Sequence, residues 1–351
     1  MSMISEILNK EDLNEEEIFS LLQTEDSDEV KLIYQKANEI RKVFCGDEVH
    51  LRGIIEFSNY CEQDCLYCGL RKNNLNLDRY RMSFDEIIQT AETIYGMGIQ
   101  TIVLQSGEDF FFTGNMVADI ISSIKSRFDV AITLSLGERN FEDYALWKKS
   151  GADRYLLKHE TASSKLYSTY HINQNLKDRV DHLYYLKSLG YQIGSGNIIG
   201  LPHQTIKDIA QDIILCRKLD LDMASFSPFI ASPDTPYRKQ KNADLNFTLK
   251  VMAVARIVLK NVHIPATTAI GTLDEYGREK ALQAGANVIM PNFTPSPYRE
   301  KYSIYPNKKC VKDNPLNCPA CLENSINSLG RKMASGKGHS LKISASESLY
   351  R

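Results

Sequence analysis

From about residue 47 onward, short apolar runs alternate with amphipathic stretches. The apolar runs are eight strand candidates: Leu51–Phe57, Thr101–Gln105, Val130–Leu134, Arg154–Leu157, Gln192–Ile199, Met223–Pro228, Ile264–Thr268 and Val288–Met290. Between them, Ser83–Met97 and Leu176–Leu189 have helical patterns, and Ser83 with Glu86 forms a capping-box motif. Strands that alternate with helices favour parallel pairing, and eight such units favour an α/β fold, the (β/α)8 TIM-type barrel. Function is then expected at the carboxyl ends of the strands.

The two ends of the chain have different patterns. Residues 1–46 are polar and helical, with ten Asp and Glu against one Lys in the first thirty residues. This pattern favours a solvated helical cap over an acidic interaction arm. We therefore predict an N-terminal helical extension over 1–46, the barrel over 47–300, and a cysteine-containing C-terminal extension over 301–351. The Gly, Ser and Lys tail from Ser335 is expected to be loosely ordered.

The net charge and the cysteine content limit which kinds of partner and cofactor are expected. The 351 residues carry a net charge of −2, which gives no general attraction to nucleic acid or to an anionic membrane. Neither a membrane-spanning apolar run nor a signal-peptide pattern is present, so a cytoplasmic protein with a small-molecule or protein partner is expected. Six of the eight cysteines fall in two clusters, which indicates metal or redox chemistry rather than disulfides. The other two, Cys45 and Cys216, are predicted to be core thiols.

The first cluster directly follows the first predicted strand. Cys61, Cys65 and Cys68 are separated by three and two residues and can bind three irons of a 4Fe-4S cluster. No fourth cysteine lies nearby, so one iron is left for a ligand from outside the protein. A zinc site that uses His50, or a set of buried free thiols, is the weaker alternative.

This spacing at the end of a first barrel strand resembles the radical S-adenosylmethionine (SAM) superfamily. The resemblance implies that the open iron binds SAM, which is reductively cleaved to a 5'-deoxyadenosyl radical. Tyr67 and the turn Ser106, Gly107 and Glu108 are then implied to bind SAM. Ser106 stands where the superfamily usually has the first of two glycines.

Further strand-end segments resemble one subgroup, the HydE maturases of FeFe hydrogenase, which are related to biotin synthase and methylornithine synthase. The similar segments include Arg79–Met82, His159–Thr161, Ile264–Ala269, Gly285–Asn292 and Thr294–Arg299. The resemblance implies SAM contacts for Ser135, Glu160 and Arg179, and a substrate pocket formed by Gln105, Thr267, Thr268 and Tyr302. No side chain is assigned a direct catalytic role. Biotin synthase holds a sulfur-donating cluster with strand-end cysteines, whereas Gln105, Thr133 and Gly194 stand at the comparable positions, which disfavours sulfur insertion.

The second cysteine cluster lies beyond the eighth predicted strand. Cys310, Cys318 and Cys321 are separated by seven and two residues. The resemblance implies an accessory second Fe-S cluster, either 2Fe-2S or 4Fe-4S. A zinc staple completed by His339, or unmetallated thiols, are the alternatives.

The resemblance also implies partners. It predicts action in the assembly of the hydrogenase di-iron cofactor, on an organometallic substrate supplied by HydG, with HydF downstream and ferredoxin or flavodoxin as electron donor. A methylornithine-synthase-like mutase acting on a small organic substrate is the alternative enzyme. A non-catalytic iron–sulfur scaffold is the alternative from another class.

Overall fold

The computed structural model describes residues 2–311, 316 and 318–342. Its strands are β1 (Glu48–Leu51), β2 (Gly53–Ser58), β3 (Thr101–Ser106), β4 (Ala131–Ser135), β5 (Arg154–Leu156), β6 (Gln192–Ile199), β7 (Met223–Pro228), β8 (Pro265–Ala266), β9 (Val288–Ile289) and β10 (Lys332–Met333). Its helices are α1 (Met3–Leu8), α2 (Glu15–Gln23), α3 (Ser27–Cys45), α4 (Phe84–Gly96), α5 (Gly114–Arg127), α6 (Phe141–Lys149), α7 (Ser164–Tyr170), α8 (Leu176–Ser188), α9 (Ile206–Lys218), α10 (Leu245–Leu259), α11 (Thr268–Leu273), α12 (Gly277–Gln283), α13 (Ser296–Arg299) and α14 (Cys318–Ser328).

The strands follow one another around a parallel barrel. Strands β2 to β7 form one sheet in sequence order, and a second sheet has the order β10-β1-β9-β8. Single parallel bridges join the two sheets, Met223 to His263 at one seam and Ile54 to Asn292 at the other. Neighbouring strands therefore follow in sequence order from β2 to β9, and the residues just after β9 lie beside β2, as in the predicted α/β barrel.

The hydrophobic pattern predicted most strands closely. The candidates Gln192–Ile199 and Met223–Pro228 coincide with β6 and β7, and Ser83 caps α4 with a capping box to Glu86. The candidate Ile264–Thr268 is wrong in its second half because Thr268 already begins α11. The pattern did not predict β10, which adds two residues to the edge of β1.

The N-terminal helices are more than a solvated cap. Most of their acidic side chains are exposed, but Ile18, Leu21 and Leu22 are fully buried. Helix α2 contacts α9 and α10, while α3 contacts α10. The guanidinium of Arg217 on α9 donates to the Leu13 carbonyl at 2.8 Å. One face of this segment therefore belongs to the core of the molecule.

The segment after Ser335 is also more ordered than the sequence indicates. The Arg154 guanidinium, at the start of β5, donates to the carbonyls of Lys337 at 2.7 Å and Gly338 at 2.9 Å. The Thr101 hydroxyl donates to the same Lys337 carbonyl at 2.7 Å. These bonds hold residues 335–342 across the amino-terminal end of the barrel, and the remainder, 343–351, lies outside the described residues. In the described part of the chain, every helix is too short or too polar to cross a bilayer.

Candidate active site

A cavity of about 370 Å³ opens at the carboxyl ends of the barrel strands. Every barrel strand, or the loop that follows it, contributes to its wall: in chain order Cys61, Gln105, Ser135, Glu160, Ile198, Ser227, Thr267 and Asn292. All residues predicted to bind SAM or substrate line this one space: Tyr67, Ser106, Gly107, Glu108, Ser135, Glu160, Arg179, Gln105, Thr267, Thr268 and Tyr302. Barrel enzymes carry their chemistry at this end of the strands.

The loop that carries the first three cysteines is held by backbone contacts. Cys61, Cys65 and Cys68 all line the cavity as free thiols. The Glu62 amide donates to the Glu108 carbonyl at 2.9 Å, and the Gly69 amide donates to the Ile304 carbonyl at 2.8 Å. These bonds tie the cysteine loop to the turn after β3 and to the segment that follows the barrel.

The turn after β3 requires a glycine at position 107. A Cβ atom at this position would lie 2.2 Å from the Tyr60 carbonyl oxygen and 2.7 Å from the Cys61 Cβ. The turn after β3 therefore packs directly against the cysteine loop. At the neighbouring position, the Ser106 hydroxyl donates to the Gly107 carbonyl at 2.6 Å, so a side chain is accommodated there.

The three thiols suit a cluster better than an exposed redox site. Burial raises the pKa of Cys61 and Cys65, and it raises the pKa of Cys68 to about 12. Their protons are then lost on metal binding, which couples cluster assembly to deprotonation. Among residues 2–311, 316 and 318–342, no three His, Cys, Asp or Glu side chains are arranged around a single metal ion. A 4Fe-4S cluster does not require that arrangement, because each thiolate binds a different iron.

A charged residue, Arg179, lines the same cavity as the three cysteines. The Arg179 Nε lies 2.9 Å from Glu138 Oε1 and donates to the Tyr167 hydroxyl at 2.9 Å. Burial lowers the pKa of Arg179, but the neighbouring acidic groups, including Tyr167 and Glu138, raise it above its ordinary value, so the guanidinium stays charged. A buried cation of this kind can pair with a carboxylate.

Glu160 follows β5 in an uncommon backbone conformation. Its φ is +61°, in the left-handed region that non-glycine residues rarely adopt. Its carboxylate lies 3.0 Å from the Lys158 Nζ. Its amide donates to the Gly196 carbonyl at 2.9 Å, and its carbonyl accepts from the Ile198 amide at 3.2 Å. These bonds hold the strained turn so that the side chain lines the cavity.

On another wall, Gln105 Nε2 donates to the Tyr302 hydroxyl at 3.3 Å. Thr267 and Thr268 stand at the start of α11, and the buried Thr267 hydroxyl has no hydrogen-bond partner among the described residues. An unpartnered buried hydroxyl beside a cavity is available to a bound molecule. The structure therefore brings the predicted substrate residues together, and their contacts with substrate stay a prediction.

Sequence reasoning missed an ion pair in the same wall. The Lys308 Nζ donates to the two carboxylate oxygens of Glu56 at 2.6 and 2.8 Å, and both side chains are at least nine-tenths buried. The Asn292 amide donates to the same carboxylate at 2.7 Å. A glutamate between the apolar residues Ile55 and Phe57 of β2 was the available signal, while its partner 252 residues away could not be inferred.

The strand-end positions compared with biotin synthase need one correction. Gln105 lines the cavity near the end of β3, whereas Thr133 and Gly194 lie within β4 and β6 rather than at their ends. Among the described residues that line the cavity, the cysteines are Cys61, Cys65 and Cys68, which all belong to the first cluster.

The structure also separates two histidines from the cysteine clusters. His50 lies on β1 at the amino-terminal end of the barrel, with its ring 5.1 Å from that of His263. His339 contacts Arg154 and Gln192 at this same end, at 3.3 and 3.1 Å. The two histidines that were considered as zinc ligands therefore lie at the amino-terminal end of the barrel, away from the cavity that contains the first three cysteines.

The second cysteine cluster is only partly described. Cys310 Sγ lies 3.8 Å from an Arg278 nitrogen and lines a second cavity of about 460 Å³. Cys321 is exposed at the first turns of α14, and the Cys318 side chain lies outside the described residues. The second Fe-S cluster thus stays a prediction. Of the two isolated cysteines, Cys216 is a buried core thiol as predicted, while Cys45 is half-buried.

Comparison with known proteins places the chain in a family. Residues 55–216 match the radical SAM superfamily. Over 329 residues the chain is 46% identical to the [FeFe] hydrogenase maturase subunit HydE of Thermotoga maritima, and the match covers 94% of each chain. The chain belongs to the HydE family of radical SAM enzymes.

More distant relatives share the fold. The 3-methylornithine synthase of Methanosarcina acetivorans is 28% identical over 79% of each chain, and a biotin synthase of Clostridium botulinum is 28% identical over 80% of this chain and 88% of its own. The crystal structure of methylornithine synthase superposes with a TM-score of 0.82 at 23% identity, covering 95% of this chain and 97% of that one. A structure of the maturase HydG gives 0.79 at 19% identity, covering 95% of this chain and 75% of that one. At these identities the two solved structures show a shared fold.

Membership of this family implies a 4Fe-4S cluster and SAM as cofactors. Together they supply reductive cleavage of a carbon–sulfur bond, chemistry that no side chain can perform. The residues described above fit both groups, since three half-buried cysteines and a cavity lined by charged and polar side chains meet at one end of the barrel.

Proposed function

We propose that this HydE family member is an FeFe-hydrogenase maturase that cleaves SAM reductively during assembly of the di-iron cofactor. The observation that carries the proposal is the 46% identity to the Thermotoga maritima maturase along nearly the whole of both chains. The convergence of the predicted ligands on one cavity supports it.

In this proposal Cys61, Cys65 and Cys68 hold the cluster. Arg179 pairs with the SAM carboxylate, because it is a buried, charged residue that lines the cavity. Glu160 accepts hydrogen bonds from ribose hydroxyls. The remaining SAM contacts are assigned to Tyr67, Ser106, Gly107, Glu108 and Ser135, all of which line the same space.

The substrate pocket is assigned to Gln105, Thr267, Thr268 and Tyr302. Their hydroxyl and amide groups orient a small polar substrate without adding net charge. We propose that HydG supplies the substrate, that HydF acts downstream, and that a cytoplasmic ferredoxin or flavodoxin supplies the electron. Cys310, Cys318 and Cys321 are proposed to hold an accessory Fe-S cluster, 2Fe-2S or 4Fe-4S.

Reconstitution with iron and sulfide tests the proposal directly. With dithionite and SAM, the wild-type protein is expected to release 5'-deoxyadenosine, and Cys65→Ala is expected to abolish this release. Cys216→Ala removes a buried thiol outside the cavity and is the matched control. Equal release by wild type and Cys65→Ala would exclude the radical enzyme.

Hydrogenase activation separates the two enzyme hypotheses. A mixture of this protein with HydG, HydF and apo-hydrogenase is expected to produce hydrogenase activity that depends on this protein. If the protein instead converts an amino acid, as a methylornithine-synthase-like mutase would, and leaves the hydrogenase inactive, the maturase assignment is wrong.

A further inference from the structure

His171 is a cavity residue to which no role has yet been assigned. It immediately follows α7, lines the cavity and is 2% exposed. Its Nδ1 lies 3.6 Å from the Cys65 sulfur and 3.1 Å from the Gln174 side-chain oxygen. Its Nε2 lies 3.2 Å from the Tyr67 hydroxyl. One imidazole ring therefore touches both a cysteine of the cluster loop and the aromatic residue between Cys65 and Cys68.

The hydrogen-bond partners define which nitrogen carries the hydrogen. The Gln174 amide, as assigned by this network, presents an oxygen that can only accept, so Nδ1 is the donor. Nε2 is then the acceptor, and the Tyr67 hydroxyl donates to it. In this tautomer the N–H group lies between the amide oxygen and the Cys65 sulfur.

The ring has little freedom to leave this position. It stacks on the Tyr167 ring with centroids 4.3 Å apart and planes within 3° of parallel. The His171 amide donates to the Tyr167 carbonyl at 2.9 Å. The Leu66 amide, inside the cysteine loop, donates to the Tyr170 carbonyl at 3.0 Å. The bond between Leu66 and Tyr170 thus ties the cysteine loop to the end of α7 directly beside His171.

We propose that His171 is a positioning residue of the cluster site, which donates its Nδ1 hydrogen to the Cys65 sulfur and orients Tyr67. This inference rests on the proposed function, because it needs a cluster bound to Cys65. Hydrogen bonds to ligating sulfurs help to set the reduction potential of iron–sulfur clusters. The reduced cluster carries one more negative charge, so a donor to the sulfur stabilises it and raises the potential. Loss of the donor therefore makes the cluster harder to reduce.

Three substitutions separate the two hydrogen bonds. His171→Phe keeps a stacked ring and removes both bonds. His171→Asn places an amide N–H near the position of Nδ1, so it keeps the donor to Cys65 and loses the contact with Tyr67. His171→Gln places its amide oxygen near Nε2, so it keeps the acceptor for Tyr67 and loses the donor to Cys65. His203→Asn, on an exposed loop, is the matched control.

The measurement is a potentiometric titration of the reconstituted cluster followed by electron paramagnetic resonance. His171→Phe and His171→Gln are expected to shift the midpoint potential to more negative values, whereas His171→Asn and His203→Asn stay close to wild type. Iron and sulfide analysis verifies equal cluster content. If His171→Phe does not retain the cluster, the Asn and Gln variants still decide the question.

Two further outcomes distinguish the levels of failure. If the wild-type protein takes up no cluster, the proposed function and the role of His171 are both wrong. If the wild type holds a reducible cluster and the Asn and Gln variants share its potential, only the role of His171 is wrong. A structural effect alone would lower cluster content in all His171 variants without separating the potentials of Asn and Gln.

Discussion

Asp212 on α9 is a buried carboxyl group beside the turn that carries Glu160. It is fully buried and accepts hydrogen bonds from the Ala162 amide and from the Asn197 side chain at 2.6 Å. Burial raises the pKa of Asp212 to about 7, and the charges of Asp208 and Glu160 act in the same direction. The residue therefore secures the turn after β5 while it titrates near neutral pH.

This titration predicts a pH-dependent effect of Asp212→Asn. The folded protein holds the proton more tightly than an unfolded chain, in which the pKa is near 3.8, so this group lowers stability as the pH rises from about 4 to 7. An amide does not titrate, and Asn197 Oδ1, which has no described partner, can accept its N–H. The free energy of unfolding of the variant is expected to be about 1 to 3 kcal/mol larger than that of wild type at pH 7.5. At pH 5 this difference is expected to be smaller. Urea unfolding of the cluster-free proteins measures this difference, and a difference independent of pH would contradict it.

At the scale of elements, the N-terminal helices support the barrel from outside. Helix α2 packs on α9, which carries Asp212, and on α10, whose residues from Thr248 to Leu259 are buried. The sequence indicated a solvated segment because its first thirty residues carry ten Asp and Glu against one Lys. Three apolar residues of α2, Ile18, Leu21 and Leu22, are nevertheless fully buried.

A matched pair of leucines tests this packing. Leu21→Ala removes a fully buried side chain from α2 and is expected to lower the free energy of unfolding by about 3 kcal/mol. Leu32→Ala, on α3, truncates a side chain that is 40% exposed and is expected to change it by less than about 0.5 kcal/mol. Urea denaturation of both variants provides the comparison. Equal, small losses would show that α2 only covers the surface.

At the scale of the whole molecule, the segment after the barrel forms a wall between two cavities. Tyr302, Tyr305 and Lys308 line both the cavity at the strand ends and the cavity that contains Cys310. The Lys308 Nζ also donates to the Tyr302 carbonyl at 3.3 Å. The ion pair with Glu56 thus joins the second cysteine segment to the first barrel strand and holds Tyr302 in place.

Lys308→Met is expected to disrupt substrate positioning more than SAM cleavage. It leaves the Glu56 carboxylate buried without its cation, which costs about 3 to 5 kcal/mol and displaces the wall around Tyr302. The ratio of maturation product to 5'-deoxyadenosine should therefore fall. Lys301→Met breaks the more exposed pair with Asp78 on the same segment and should leave the ratio unchanged. Equal ratios in wild type and Lys308→Met would show that the pair has no part in substrate positioning.

The sequence by itself determined the features that depend on short spacing. Apolar runs and helix caps are local signals, so most of the strands, though not β10, and helix α4 could be predicted to within a few residues. The spacing of Cys61, Cys65 and Cys68 indicated a cluster with one open iron. The motifs at the strand ends predicted which residues bind SAM.

Only the tertiary structure decided which distant residues meet. The contact of His171 with Cys65 joins residues that are 106 positions apart, and the ion pair of Lys308 with Glu56 joins residues that are 252 positions apart. The Gly338 carbonyl, at the amino-terminal end of the barrel, accepts from Arg154, which lies 184 positions earlier. No local pattern encodes such contacts, because they arise when the barrel closes and brings loops from many strands together. The sequence thus predicted the chemistry of the first cysteine cluster, and the fold decided which side chains surround it.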